Sequence, residues 1–341
     1  MYSIYLIPLL IAMFLAVNMG GSGTAPSFSA SYGANLIRKS LIPGLFGLFV
    51  FAGALLAGKK VVATIGKGII PSESITLVLT SIILLSVALS LFFANMLKVP
   101  QSTSQSTVTA LVGPAIYFDV LKSDKLFFEI LPTWFITPIA AFLITFLVAK
   151  YIYRPLKSFS NISFEALAQH KIFKMIVILG GCYVAFAIGS NNVANASGPL
   201  VAMSQNILGV ADSTSEFMLI MIILTLVIAP CFGIGSSFLG DRVLSTTGKE
   251  IISFGPLGAT LISIVTASLL LLASLTKGIP TSLVQMNTGA IIGLGISKVG
   301  VKEIFKDTPL KKILTIWIIA PIISLVLSLL LTIIADKLGY L

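Results

Sequence analysis

Residues 99–113 read VPQSTSQSTVTALVG, and residues 279–293 read IPTSLVQMNTGAIIG. Each opens on an aliphatic residue and a proline, passes through hydroxyl and amide side chains, and closes on an apolar run ending in glycine. Pro100 and Pro280 stand 180 residues apart. Working outward, LLAGKKVVATIGKGII from Leu55 resembles FLGDRVLSTTGKEII from Phe238 at an offset of 182. WFITPIA from Trp134 resembles WIIAPII from Trp317 at 183, and the glycine-rich stretches near Gly20 and Gly189 pair at 169. Anchors recurring in one order mark an internal repeat. The halves are residues 1–153 and 175–341, joined by a polar linker over 154–174.

The repeated unit is a membrane unit. Of 341 residues, 57% are apolar and only 10% are charged, and the mean hydropathy is +1.06. A soluble domain carries about 25% charged residues. This composition excludes a soluble enzyme, a disordered chain and a nucleic-acid binder. The 22 Lys and Arg against 12 Asp and Glu suit loops facing anionic lipid headgroups. Cys182 and Cys231 lie in apolar runs and His170 in the linker, so neither a disulfide framework nor a zinc site is expected.

A bilayer-spanning helix needs about 20 mostly apolar residues. Clear spans run Ser3–Val17, Ile42–Ala57, Ile75–Leu97, Ile130–Tyr153, Ile172–Ile188, Phe217–Leu239, Leu257–Thr276 and Ile313–Ile334. Interrupted ones lie at Ala25–Ile37, Thr107–Tyr117, Asn195–Val210 and Gly289–Ile296. If Ala25–Ile37 and Asn195–Val210 cross while the other two dip in and return, each half crosses five times. An odd number makes the halves an inverted pair. Most cations then face the cytoplasm, which carries the linker, Lys60, Lys67 and Lys277, while Lys122 and Lys125 face outside. The expected fold is therefore an all-α polytopic protein of the cell membrane, built from two inverted repeats with re-entrant or broken helices.

Two kinds of polar segment interrupt the apolar pattern in each half. One kind is NMGGSGTAPSFS (Asn18–Ser29) and AIGSNNVANASGP (Ala187–Pro199); the other is the Pro-Ser-Thr pair above. Irregular backbone at membrane depth is tolerated only where protein or a water-filled cavity surrounds it. Breaks here create helix N-termini, with free amide N–H groups and a partial positive charge. Four such starts, with Pro100 in the first helical position of one of them, would converge on an anion without any Arg. No Asp, Glu, Lys or Arg falls in the middle of a proposed span; Lys98 and Lys277 stand just before the Pro breaks. Three Asn in Ser190–Asn195 are costly in lipid unless they are partnered or used. Gln105 and Gln285 occupy equivalent repeat positions.

GSNNVANASGPLVA (Gly189–Ala202) is close to the G-[AS]-N-D-V-A-N-A-x-G-P signature of the inorganic phosphate transporter (PiT) family. GGSGTAPSFSASYG (Gly20–Gly33) resembles a degraded copy. The Pro-Ser-Thr pair resembles the family's P-V-S-T-T-H-S-x-V-G-A-I-x-G segments. The resemblance covers nearly the whole chain and extends to the family's short sulfate-permease branch. It implies a cation-coupled symporter for a tetrahedral oxyanion, with inverted repeats and a homodimeric assembly. It assigns substrate and coupling-ion contacts to Ser22, Gly23, Thr24, Ser102, Thr103, Ser104, Gln105, Ser190, Asn191, Asn192, Asn195, Ser282 and Gln285.

The departures from the signature carry the substrate reading. Its Asp is Asn192 in one half and Gly23 in the other, and the His of each S-T-T-H segment is Gln105 or Gln285. Phosphate keeps a proton at pH 7 that a carboxylate accepts; sulfate has none to offer. Amide and hydroxyl donors without the Asp suit sulfate, with phosphate the alternative. The missing Asp also removes Na⁺ ligands, so the coupling ion, H⁺ or Na⁺, stays open. No cofactor is expected. A passive anion channel is the rival from another class. A membrane-embedded enzyme would need a His, Asp, Glu or Cys constellation, which no polar segment offers.

Overall fold

The computed structural model describes residues 2–96, 101–153, 170–211, 214–252, 255–304 and 309–341. Every regular element among them is helical. Besides short turns, the first half forms α1 (Tyr2–Gly33), α2 (Ile42–Ala57), α3 (Lys59–Lys67), α4 (Leu77–Met96), α5 (Thr103–Tyr117) and α6 (Leu131–Val148). The second half forms α7 (Lys171–Leu208), α8 (Ser215–Ile252), α9 (Gly255–Thr276), α10 (Leu283–Val299) and α11 (Pro309–Lys337). One order thus occurs twice, with α8 standing for α2 and α3 together. Eight helices among the described residues are long and apolar enough to cross a membrane: Tyr5–Gly33, Lys39–Ala57, Leu77–Met96, Ser123–Ile152, Lys171–Leu208, Ser215–Gly240, Leu257–Thr276 and Trp317–Lys337.

The glycine-rich segments do not break their helices, contrary to the sequence expectation. Asn18–Ser29 lies inside α1 and Ala187–Pro199 inside α7. Their hydroxyls turn back onto the helix: Ser22 donates to the Met19 carbonyl (3.1 Å), Thr24 to Gly20 (2.7 Å), Ser190 to Ala187 (2.8 Å) and Ser197 to Val193 (3.1 Å). Such back-bonding satisfies Ser and Thr without solvent. Residues 25–33 therefore continue α1, and residues 195–208 continue α7. Neither is a separate crossing, and each half has four long apolar helices rather than five. At 38 residues α7 is about 57 Å long, well beyond the ~30 Å hydrocarbon core. The linker over 154–169 lies outside the described residues. Lys171–Lys174 form the first turn of α7, and His170 caps it by accepting the Ile172 N–H (3.3 Å).

What the glycines do is bring backbones together, and they do so in reciprocal pairs. A Cβ at Gly20 would collide with the carbonyl oxygen of Phe232, and one at Gly189 with that of Val50. Gly53 meets Phe186 in the same way, and Gly235 meets Val17. Shifting each first-half residue by 169 on α1, or 182 on α2, turns one member of each pair into the other. The same relation holds further along. Gly113 packs on Leu325 and Ser328 of α11, while Gly293 packs on Phe142 and Thr145 of α6. So α1 lies along α8 while α7 lies along α2 and α3; α5 lies along α11 while α10 lies along α6. Each half completes the other.

Helices α4 and α5 form a hairpin that returns to the side it left. Just beyond α5, the Lys122 N–H donates to the Ile69 carbonyl (2.9 Å) and its Nζ to that of Lys67 (2.8 Å), both ahead of α4. The hairpin tip is buried: Gln101, Ser102, Thr103, Ser104 and Gln105 are each 6% exposed or less. This corrects the sidedness derived by counting. Lys122 and Lys125 share a face with Lys60, Lys67 and Lys277. The count failed because it took α4 for a crossing and only α5 for a re-entrant segment.

Candidate functional site: paired helix starts and an asparagine hub

Both hairpin tips end in the same cap. Ser102 precedes α5 with an extended backbone and accepts the Gln105 N–H (3.3 Å); Ser282 precedes α10 and accepts the Gln285 N–H (3.2 Å). The helices therefore begin at Thr103 and Leu283, so Pro280 precedes its cap by two residues rather than opening the helix. Pro100 and Lys98 lie outside the described residues. Ser102 is the cap, and Thr103 and Ser104 supply the first turn. An N-cap hydroxyl serves only one of the orphan amides, so those of Thr103, Ser104, Leu283 and Val284 have no acceptor within their own helices. Two helix starts are available, not four, because α1 and α7 run unbroken.

The two starts meet through their glutamines. Gln105 Nε2 donates to Gln285 Oε1 (3.0 Å), and Gln285 Nε2 donates to Gln105 Oε1 (3.1 Å). A reciprocal bond between equivalent residues lies on the axis relating the halves. Trp134 Nε1 donates to the Pro280 carbonyl (2.9 Å), so α6 anchors the opposite tip.

Beside this pair, Asn191 ties three elements together. Its Oδ1 accepts from the Thr281 N–H (3.1 Å) and Ser104 Oγ (3.3 Å). Its Nδ2 donates to Ser274 Oγ (2.9 Å) and the Ile279 carbonyl (3.0 Å). The amide is fully used, so Asn191 positions the tip of α9–α10 against α5. Asn195 Nδ2 donates to Ser104 Oγ (3.1 Å), and Ser190 Oγ reaches Ser274 Oγ (3.3 Å). All of these residues are buried. Open hydrogen-bonding capacity remains: Asn195 Oδ1, Asn192 Oδ1, Thr281 Oγ1 and Gln101 Oε1 are buried without a partner. Carbonyl oxygens of that kind are the groups here that suit a cation, whereas the amides and hydroxyls suit an anion.

The structure thus gathers Ser102, Thr103, Ser104, Gln105, Ser190, Asn191, Asn195, Ser282 and Gln285 around the two tips. Asn192 follows Asn191 on α7, half-buried, with its Oδ1 left without a partner. Among the described residues no hydrogen bond joins Ser22, Gly23 or Thr24 to this group; they lie on α1, in the repeat counterpart of this stretch of α7. Thr24 donates to Ser236 on α8 (2.8 Å), and Gly23 packs beside Phe46 and Ile188. Sequence reasoning missed Ser274 and Thr281. Ser274 carries no signal within its apolar helix, while Thr281 stood in the repeat motif as the partner of Gln101.

The comparisons decide the family. The profile described as the Phosphate transporter family matches residues 19–328. The chain belongs to that family. It is 37% identical to the sulfate permease CysP of Bacillus subtilis over 335 residues, which covers 97% of this chain and 88% of that one. Its fold is shared with a solved structure titled the sodium-dependent phosphate transporter, at a TM-score of 0.84 and 22% identity, covering 98% and 99% of the two chains. The protein is a multi-pass membrane transporter of inorganic anions.

Proposed function

We propose that the chain is a secondary active transporter that imports a tetrahedral oxyanion, sulfate in preference to phosphate, by alternating access between two inverted repeats. One observation carries this reading. The buried donor cluster at the start of α5 and the tip of α9–α10 contains only amides and hydroxyls, with no ionisable side chain among its described members. Helix-start amides hold a dianion without a counter-charge. A cluster with no carboxylate has nothing to accept the phosphate proton and nothing to repel sulfate. Unpaired buried polar groups discriminate by as much as ~10⁴-fold. The 37% identity to a chain named sulfate permease supports the same choice.

The reciprocal packing supports inversion. Counting α4–α5 as a hairpin leaves α1, α2 with α3, and α6 as three crossings per half. That number is odd, as inverted repeats require. The donors are buried, so admitting an anion means separating the tips. The Gln105–Gln285 pair and the Ser104 bonds to Asn191 and Asn195 are the contacts that open. A homodimer, implied by the family resemblance, is part of the proposal, and mass measurement of the purified protein in detergent checks it.

Uptake into proteoliposomes tests the function. Labelled sulfate and phosphate are supplied under separate H⁺ and Na⁺ gradients. The expected outcome is gradient-driven accumulation of sulfate above equilibrium, with phosphate a weak competitor. Flux that only equilibrates the anion would make the protein a channel. Phosphate uptake insensitive to excess sulfate would reverse the substrate. Asn192→Asp restores the carboxylate and is expected to weaken sulfate uptake and strengthen that of phosphate.

A further inference from the structure

Five lysines from separate segments converge on one open pocket of about 520 Å³: Lys60 and Lys67 of α3, Lys122 and Lys125 after α5, and Lys277 after α9. Its remaining lining is Ala63, Thr64 and Gly68, with no carboxylate among the described residues that line it. Five cations around one concavity repel one another, and they focus field lines into it.

Two of them are held in place by backbone. Lys60 Nζ donates to the Leu275 carbonyl (2.8 Å) and the Thr276 carbonyl (3.0 Å) at the end of α9, and Lys122 Nζ donates to that of Lys67. The pocket is also joined to the buried cluster. Lys277 starts the tip of the α9–α10 hairpin, two residues before Ile279, whose carbonyl takes the Asn191 amide. Gly278, between them, has φ +65° and packs against the Lys60 backbone. A lysine belt serving only lipid headgroups would lie on the convex rim. This group surrounds a concavity walled mainly by α3, to which the α9–α10 tip contributes Lys277.

The geometry points to a second oxyanion site: a lysine-lined vestibule that collects the tetrahedral anion before it passes the α9–α10 tip. With α4–α5 a returning hairpin, one crossing, α6, separates this pocket from the linker, so the vestibule faces away from the side that carries the linker. The inference rests on the oxyanion reading of the buried cluster. At the repeat-equivalent positions of Lys60 and Lys67 the sequence again carries cations, Arg242 and Lys249. Inverted repeats would place that second group toward the opposite face.

The test is equilibrium binding of labelled sulfate, and of phosphate in parallel, to the purified full chain in neutral detergent. Wild type, Asn191→Ala and Lys125→Gln/Lys277→Gln are compared across ionic strength set with N-methylglucamine gluconate. The expected result is a salt-sensitive binding component that survives in Asn191→Ala. In the double lysine variant it weakens by roughly 5- to 10-fold at low salt, and the difference fades near 0.3 M. In phosphatidylcholine vesicles the same variant is expected to raise KM for sulfate, with turnover at saturation within about twofold of wild type. Loss of all anion binding in Asn191→Ala, or unchanged salt-sensitive binding in the lysine variant, overturns the vestibule. A lysine effect seen only in vesicles containing anionic lipid assigns the pocket to headgroups and also overturns it. Wild-type protein that takes up neither anion defeats the functional reading alone, because the binding titration still decides the vestibule.

Discussion

The polar hub beside α7 and its repeat-equivalent beside α1 share a backbone frame but not a chemistry. Carrying Asn191, Asn195, Ser104, Thr281 and Ser274 across the repeat gives Ser22, Pro26, Val284, Gln101 and Ala94. On the α7 side an amide fully satisfied by four bonds ties a helix, a helix start and a hairpin tip together. On the α1 side Ser22 turns back onto its own helix, and Gln101 Nε2 donates locally to Ser90 (2.9 Å) and Ser106 (2.6 Å) while its Oε1 is left without a partner. The glycines that hold the frame are kept on both sides. Duplication therefore preserved the packing that makes two halves one protein, while the asparagine hydrogen-bond hub stands on one side of the axis only. Packing needs both copies, because each half completes the other. A single anion needs one donor set.

Three measurements sharpen that contrast. The largest effect is expected at the hub. Asn191→Ala frees the α9–α10 tip and leaves the Thr281 N–H and Ile279 carbonyl unpaired, so initial sulfate uptake should fall by roughly 100-fold. Ser22→Ala, its counterpart, should stay within about threefold. Equal losses would show that both sides work as donors.

Next comes the frame. Gly189→Ala and Gly20→Ala each press a methyl onto a carbonyl of the other half, and each should cost about 1–3 kcal/mol of stability. Thermal unfolding in detergent reads this. Similar falls in melting temperature are expected for the two variants, and a fall in only one would break the symmetry of the packing.

The smallest effect concerns the axis itself. Gln105→Leu and Gln285→Leu each strand one buried amide at a cost of about 1–3 kcal/mol, whereas the double variant strands none. The double variant should be more stable than the sum of the singles implies, with a coupling of about 1–2 kcal/mol. Additive losses would mean that the amides do not depend on each other.

The repeat was legible because its anchors are short, polar and glycine-bearing against an apolar background. The helical class and membrane setting followed from composition. Two inferences failed for one shared reason. Gly-Ser-Asn runs in Asn18–Ser29 and Ala187–Pro199 looked like breaks, yet small residues in a membrane helix also permit close backbone approach. A linear pattern does not separate these uses, because the deciding carbonyls, Val50 for Gly189 and Phe232 for Gly20, lie far away in sequence. The sidedness of Lys122 failed for a separate reason: α4 reads as a crossing by length and hydropathy, and only its packing with α5 shows a returning hairpin. Within the site, Asn191 and Asn195 stood out as costly polar residues, but which of them is spent on structure depends on partners brought by α5 and α9.

By itself, the sequence determined the membrane class, the two-fold repeat, and the absence of charge from the span interiors. All of these are properties of composition and period, which every copy of the chain carries whatever its conformation. Only the tertiary structure decided that the glycine-rich segments are seams rather than breaks and that α4 with α5 is a returning hairpin. It also decided that Asn191 joins α7 to the start of α5 and the tip of α9–α10. The physical reason is that a buried hydrogen bond or a carbonyl contact belongs to two residues at once. Here the second residue usually lies in the other half of the chain.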